Sequence, residues 1–284
     1  MPSANRKSPS APAKESKKAK TSPAAPDKKK SNSPAAPAAA AASSSACRRL
    51  KRETLGFLES LKKNNDSEWV KANKKIYDAA KLDWQAFVIS LLGELSKTEK
   101  ALKNYPAGKA IFKMSRDLRF SNDKTPYKTS FSMAVNYEGD KKSNVPCYYL
   151  AVGPDELMIA GGLYFPPTAL LDKVRKKIAE DPAGFKKMIS SANFKKHFGS
   201  DPFKENDRLK TAPKGFEKDH PDINLLRLKS MHVSAVMDKK SSPIAKATGG
   251  DFLAFVIETF KALAPYNHWL CSALGLDPSV PAIS

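Results

Sequence analysis

The apolar positions beyond residue 50 repeat with two different periods. Leu55, Leu58 and Leu61 recur at helical spacing, and after the polar break Asn64-Asn65-Asp66-Ser67 a second helical set runs through Trp69, Asn73, Ile76, Tyr77 and Ala80. Together they predict a helical hairpin. Trp84, Phe87, Val88, Leu91, Leu92 and Leu95 then fall on one stripe of a helix, and that face must be buried. Past Pro106 the period shortens to two: Phe131, Met133, Val135 and Tyr137 alternate with Ser130, Ser132, Ala134 and Asn136, the pattern of a half-buried strand. Two further strands are expected over Cys147–Val152 and Leu157–Ala160. Gly153-Pro154-Asp155-Glu156 supplies the tight turn between them, as in an antiparallel meander.

Pro166-Pro167-Thr168 opens a helix whose apolar face is Leu170, Leu171, Val174 and Ile178, and the run stops before Pro182. A shorter helix is expected over Ala183–Ile189 and a strand over Met231–Met237. A closing helix over Asp251–Leu263, with Phe252, Phe255, Val256 and Phe260 inward, is expected to end at Pro265. Helices and strands are segregated along the chain, so the pattern predicts an α+β fold: a mostly antiparallel sheet packed with helices in a single domain. Its expected span is residues 51–276, between a tail over 1–50 and a short terminal stretch over 277–284.

Composition changes the picture at the amino terminus. Before Ala46 the residues are almost all Pro, Ala, Ser, Lys and Asn, with no aromatic or large aliphatic side chain after Met1, so nothing offsets the cost of ordering them, and disorder is expected. More than half of the net charge of +20 falls before Glu53, where Lys17-Lys18-Ala19-Lys20, Lys28-Lys29-Lys30 and Arg48-Arg49-Leu50-Lys51-Arg52 are the basic runs. Such runs read as nuclear import signals or nucleic-acid contacts, with a merely solubilising tail as the alternative. Nuclear placement is favoured over cytoplasmic, and an organelle ranks second because lysine and proline dominate where a transit peptide would carry an arginine-rich amphipathic helix. Ser8-Pro9, Ser22-Pro23 and Ser33-Pro34 are candidate phosphorylation points. No stretch has the ~18 apolar residues of a membrane span, and no signal-like segment opens the chain, so no membrane partner is expected. Cys47, Cys147 and Cys271 match neither a disulfide framework nor a zinc spacing, and reduced thiols are the simplest reading.

The string Arg116-Asp117-Leu118-Arg119-Phe120-Ser121-Asn122-Asp123-Lys124-Thr125-Pro126-Tyr127-Lys128 resembles the signature of the family known as domain of unknown function 2461. Phe57-Leu58 with Asn64-Asn65, Trp69 and Asn73-Lys74 resemble that family's opening. Tyr148-Tyr149-Leu150, Gly161-Gly162-Leu163-Tyr164, Pro213-Lys214-Gly215-Phe216 and Asp219-His220-Pro221 resemble its later blocks. The resemblance runs from Leu55 to Lys229 and leaves the tail out. It implies a domain without an established activity, and therefore supplies no catalytic residues.

The same string holds the candidate chemistry. Arg116, Arg119, Lys124 and Lys128 are expected to gather around an anion, with Tyr127 stacking beside it. The alternative pairs Arg116 and Arg119 with Asp117, Asp123 or Asp219 and pins the loop to the sheet. Asp117 and His220 are candidate acid or base groups, although Asp219-His220-Pro221 reads more readily as a helix start with a packed histidine. Gly161-Gly162 lacks the wider glycine pattern of a phosphate loop and reads as a tight turn. The histidines have no metal-ligand spacing and no nucleophile elbow is present, so neither a metal nor a cofactor is expected. Two functions remain open: an anion-binding nuclear module with a tail that attracts nucleic acid, or an enzyme acting on a small phosphorylated or carboxylated substrate in an Arg/Lys/Tyr-lined pocket.

Overall fold

The helical stripes and alternating runs become packed elements in the computed structural model, which describes residues 47–119 and 122–280. The disorder, basic runs and phosphorylation points expected for the tail before Cys47 lie outside these residues. Three helices come first: α1 (Arg52–Lys63), α2 (Ser67–Ala72) and α3 (Lys74–Leu95). Leu55, Leu58 and Leu61 bury the inner face of α1 against α3. The start of α1 is held by a side chain from α3, because buried Asp83 accepts from Lys51 N at 2.9 Å and from Thr54 Oγ1 at 2.6 Å. Asp66 caps α2 by accepting from Trp69 N at 2.7 Å.

The short helix α4 (Ala107–Ala110) precedes the sheet, whose strands β1 (Phe131–Asn136), β2 (Cys147–Val152), β3 (Leu157–Leu163) and β4 (Met231–Met237) lie in the order β1-β2-β3-β4, each antiparallel to its neighbour. The fold is therefore α+β. Between β3 and β4 run α5 (Thr168–Glu180), α6 (Pro182–Ile189), α7 (Ala192–Phe198) and α8 (Ile223–Leu226); α9 (Pro243–Thr248) and α10 (Phe252–Leu274) follow β4. The period of two sets the layers. Met133, Leu150, Ile159 and Val233 turn to the helical side, where α10 lies along β3 between α3 and α5. Trp84 stacks on Phe131 at 5.9 Å, and Phe87 stacks on Phe252 at 4.8 Å.

Three elements differ from the sequence reading, the first being the helical set from Trp69 to Ala80, which divides at Asn73 between α2 and α3. Gly161 and Gly162 do not make a turn; they are strand residues of β3, which runs on to Leu163. A Cβ on Gly161 would stand 2.2 Å from Leu263 Cδ2 and 2.5 Å from Cys147 O, so the missing side chain is what lets α10 seat against the sheet. Nor does Pro265 end α10, which continues to Leu274. A proline inside a helix costs about 3 kcal/mol. Beyond it, however, Tyr266, Leu270, Cys271 and Leu274 are all buried, and at about 1.5–3 kcal/mol for each large apolar side chain their burial outweighs that cost.

Candidate functional site

The face of the sheet turned away from α10 carries small and polar side chains. In register across it lie Ala134, Tyr149, Ala160 and Ser234, and in the next such row Asn136, Cys147, Gly162 and His232. Tyr149 stands between two alanines, so the surface dips on both sides of its ring. A cavity of about 610 Å³ opens there, within the range of small-molecule sites. Its lining is mostly apolar and, among the described residues, includes no carboxylate.

One wall stands beyond β1. Residues 111–115 run along that edge, with Phe112 N donating to Ser132 O at 2.9 Å, and this sets the Phe112 ring on the open face 6.3 Å from Tyr149. Two ammonium groups lie over the same ring, Lys128 Nζ at 5.2 Å and Lys141 Nζ at 5.5 Å from its centroid. Burial pushes both lysines below the usual amine range; for Lys141, Asp140 offsets part of that effect. Neither makes an ion pair with a carboxylate among the described residues. Lys141 donates to Lys109 O from the β1–β2 loop.

The opposite wall follows β3 and β4. His232 packs edge-on against Tyr164 at 5.1 Å, and Tyr164 and Phe165 are 71% and 48% exposed. Phe165 adopts φ +44°, a left-handed conformation unusual for a bulky residue, and its N–H donates to Ser230 Oγ at 3.0 Å. Ser230 Oγ also contacts Leu163 O at 3.0 Å and His232 Nδ1 at 2.7 Å. Burial lowers the His232 pKa, which keeps the ring neutral near pH 7. Burial pushes the Cys147 thiol on the floor up to about 12, which disfavours its thiolate.

The floor beside His232 is held by a side chain from α10. Cys147 and Gly162 face each other across β2 and β3, and the Asn267 amide sits between them. Its Oδ1 accepts from Gly162 N at 3.0 Å while its Nδ2 donates to Cys147 O at 3.1 Å, as an inserted peptide group would. Gly162 there has φ +89°, which suits glycine alone.

The residues singled out from the sequence are divided by the structure. Lys128 lines the cavity. Arg116 bonds Asp123 and Thr125, and Arg119 Nη2 meets Asp117 Oδ2 at 2.7 Å, so these side chains close their own loop. That pairing holds Asp117 below the usual carboxylate range. Exposed Lys124 donates to Leu118 O at 3.3 Å. Tyr127 packs on the other side, near Tyr77, and its backbone is clasped by Asn65, whose Oδ1 accepts from Tyr127 N at 3.0 Å and whose Nδ2 donates to Tyr127 O at 2.9 Å. The loop stem thus delivers Lys128. His220 accepts from Asp222 N at 3.0 Å through Nδ1 ahead of α8, and buried Asp222 pairs with Lys186. Phe112, Lys141, Tyr149 and His232 were not singled out. The alternation through Ser132 and Ala134 marked their face, but read by itself it marks only a solvated one.

A second polar cluster lies on the helical side. Glu99, 4% exposed, accepts from Tyr137 Oη at 2.6 Å and meets His268 Nε2 at 2.9 Å, while Tyr137 and Tyr148 hydroxyls are 3.1 Å apart. Although burial opposes it, hydrogen bonds from His268 and Tyr137 hold Glu99 below the usual carboxylate range, and the same contact raises His268.

No helix among the described residues is long and apolar enough to cross a membrane. The family model described as conserved hypothetical protein (DUF2461) matches residues 53–269. No curated protein and no solved structure matches the chain.

Proposed function

We propose, for a chain that belongs to the DUF2461 family of conserved hypothetical proteins, that the open face of its sheet binds a small organic anion with an apolar body. One observation carries the reading: two partly buried ammonium groups share the Phe112 ring at the rim of a cavity that is lined by no acid among the described residues. Partly desolvating a cation is costly, Asp140 offsets only part of that cost at Lys141, and an incoming carboxylate or phosphate removes more of it. Tyr149, Met158 and the alanines receive the rest of the molecule.

The test is a thermal-shift and calorimetric screen with phenyl phosphate, benzoate and decanoate. An anion at ~100 times its dissociation constant adds about 2.7 kcal/mol, and the Lys128→Ala/Lys141→Ala variant is expected to lose that response. Failure of every anion, or an unchanged response in the variant, refutes the reading. The basic tail supports a second element, a nuclear address that also attracts nucleic acid. Removing residues 1–46 is expected to weaken salt-sensitive DNA binding in a gel-shift titration, and unchanged binding refutes it.

A further inference from the structure

The wall opposite the lysines has its own chemistry, and its protons can be placed. Ser230 Oγ has three neighbours: the Phe165 N–H, the Leu163 carbonyl and His232 Nδ1. The N–H can only donate and the carbonyl can only accept. One assignment satisfies all three: the hydroxyl proton goes to Leu163 O, and His232 donates its Nδ1 proton to Ser230 Oγ. Nε2 then carries the lone pair. It has no protein partner among the described residues, and its ring borders the cavity.

Position completes the argument. His232 is on β4 and Phe112 lies along the outer edge of β1, so four strand spacings, about 19 Å at ~4.8 Å each, separate the backbones of the two walls. Side chains reaching inward leave room for an elongated molecule. A free phosphate or a single short acid would touch one wall and leave the other empty. Between the walls, the Tyr149 ring and the dips over Ala134 and Ala160 beside it suit an aromatic ring system.

We infer that the ligand of this groove is an elongated aromatic anion with a hydroxyl or N–H at the end opposite its negative charge, and that His232 Nε2 accepts from that donor. The inference rests on the anion-binding reading above and deepens it. His232 is here a specificity residue: it selects which aromatic anions bind, and Tyr164, packed edge-on against it, keeps its ring in place. The low pKa that burial gives His232 agrees with a ring whose neutral form meets the ligand.

The test uses the full chain and three matched probes: biphenyl-4-yl phosphate, its 4′-hydroxy analogue and its 4′-methoxy analogue, titrated by calorimetry. The hydroxy probe is expected to bind about tenfold tighter than the methoxy probe, the value of one well-made hydrogen bond. His232→Phe keeps the ring volume, and in it the two are expected to differ less than about twofold, while Lys128→Ala weakens all three. Equal binding of hydroxy and methoxy probes by the wild type, with Lys128 dependence intact, overturns this inference alone. Absence of binding by every probe, or indifference to Lys128→Ala, overturns the groove reading beneath it. Should His232→Phe not fold, the His232 ring is titrated by NMR in the wild type. The hydroxy probe is expected to lower its pKa and the methoxy probe to leave it in place; equal effects overturn the inference.

Discussion

Removing the Asn267 amide should unseat the floor of the groove without touching its walls. In Asn267→Ala the Gly162 N–H and the Cys147 carbonyl lose their partners at a position where Asn267 is 0% exposed. Each buried backbone group left unsatisfied costs about 1–3 kcal/mol, and relief from burying the amide returns part of the sum, so the expected loss is about 3 kcal/mol. For a domain of this size that lowers the melting temperature by roughly 6–12 °C. Asn267→Asp sharpens the test. One oxygen still accepts from Gly162, but the other faces the Cys147 carbonyl and must carry a proton. Burial and that carbonyl raise the folded pKa of the new acid above its unfolded value of about 3.9. Its stability is therefore greatest below the unfolded pKa and falls as pH rises toward the folded one. Thermal melts by circular dichroism from about pH 4 to about pH 8 should show the aspartate variant dropping away from the wild type as pH rises, with the alanine offset constant. An alanine variant melting within about 1 °C of the wild type, or an aspartate offset independent of pH, refutes the inserted-amide reasoning.

Other outcomes follow from the same geometry. Gly161→Ala forces a methyl against Leu263 and the Cys147 carbonyl, and since the carbonyl is backbone, urea unfolding should show a loss of about 2–3 kcal/mol. Asn65→Ala removes both bonds to Tyr127 and should cost about 1–2 kcal/mol by denaturant titration, with weaker phenyl phosphate binding because Lys128 is next in the chain. The Glu99–His268 contact sets a pH window. The raised His268 contributes fully below its unfolded pKa of 6.5 and is lost as pH rises through the folded value, whereas the lowered Glu99 contributes above 4.5 and is lost as pH falls through its own. The stability difference between wild type and His268→Gln should therefore peak between those two values, and a flat difference across the range counts against the pair.

Elements whose burial follows a single period were legible in the sequence. Met231–Met237 and Cys147–Val152 were read to the residue, because alternation, or a short run of apolar residues between turn signals, identifies a strand locally. Gly161-Gly162 and Pro265 misled for one reason: each is locally a breaker, and each is overruled by a partner distant in sequence, Leu263 in the first case and the buried second half of α10 in the other. The candidate site was legible only at Lys128. Lys141 comes from a loop, Phe112 from an irregular edge segment and His232 from a strand beyond α8; topology unites them, and no spacing along the chain announces it. Asn64-Asn65 and Pro126-Tyr127-Lys128 are separate strings in the sequence, and the Asn65 amide joins them.

The two lysines over Phe112 arrive on different supports, which meet only along the segment from Lys109 to Met114, where Lys141 donates to Lys109 O and Lys128 N donates to Met114 O. Lys128 is tied through Tyr127 and Asn65 to the amino-terminal helices, whereas Lys141 belongs to the β1–β2 connection, which Asn136 knots to itself through Asp140 O and Ser143 Oγ. An anion shared by the pair would act as a rivet between these two pieces. Amide exchange should then slow along both loops at once, outside the footprint of the bound molecule.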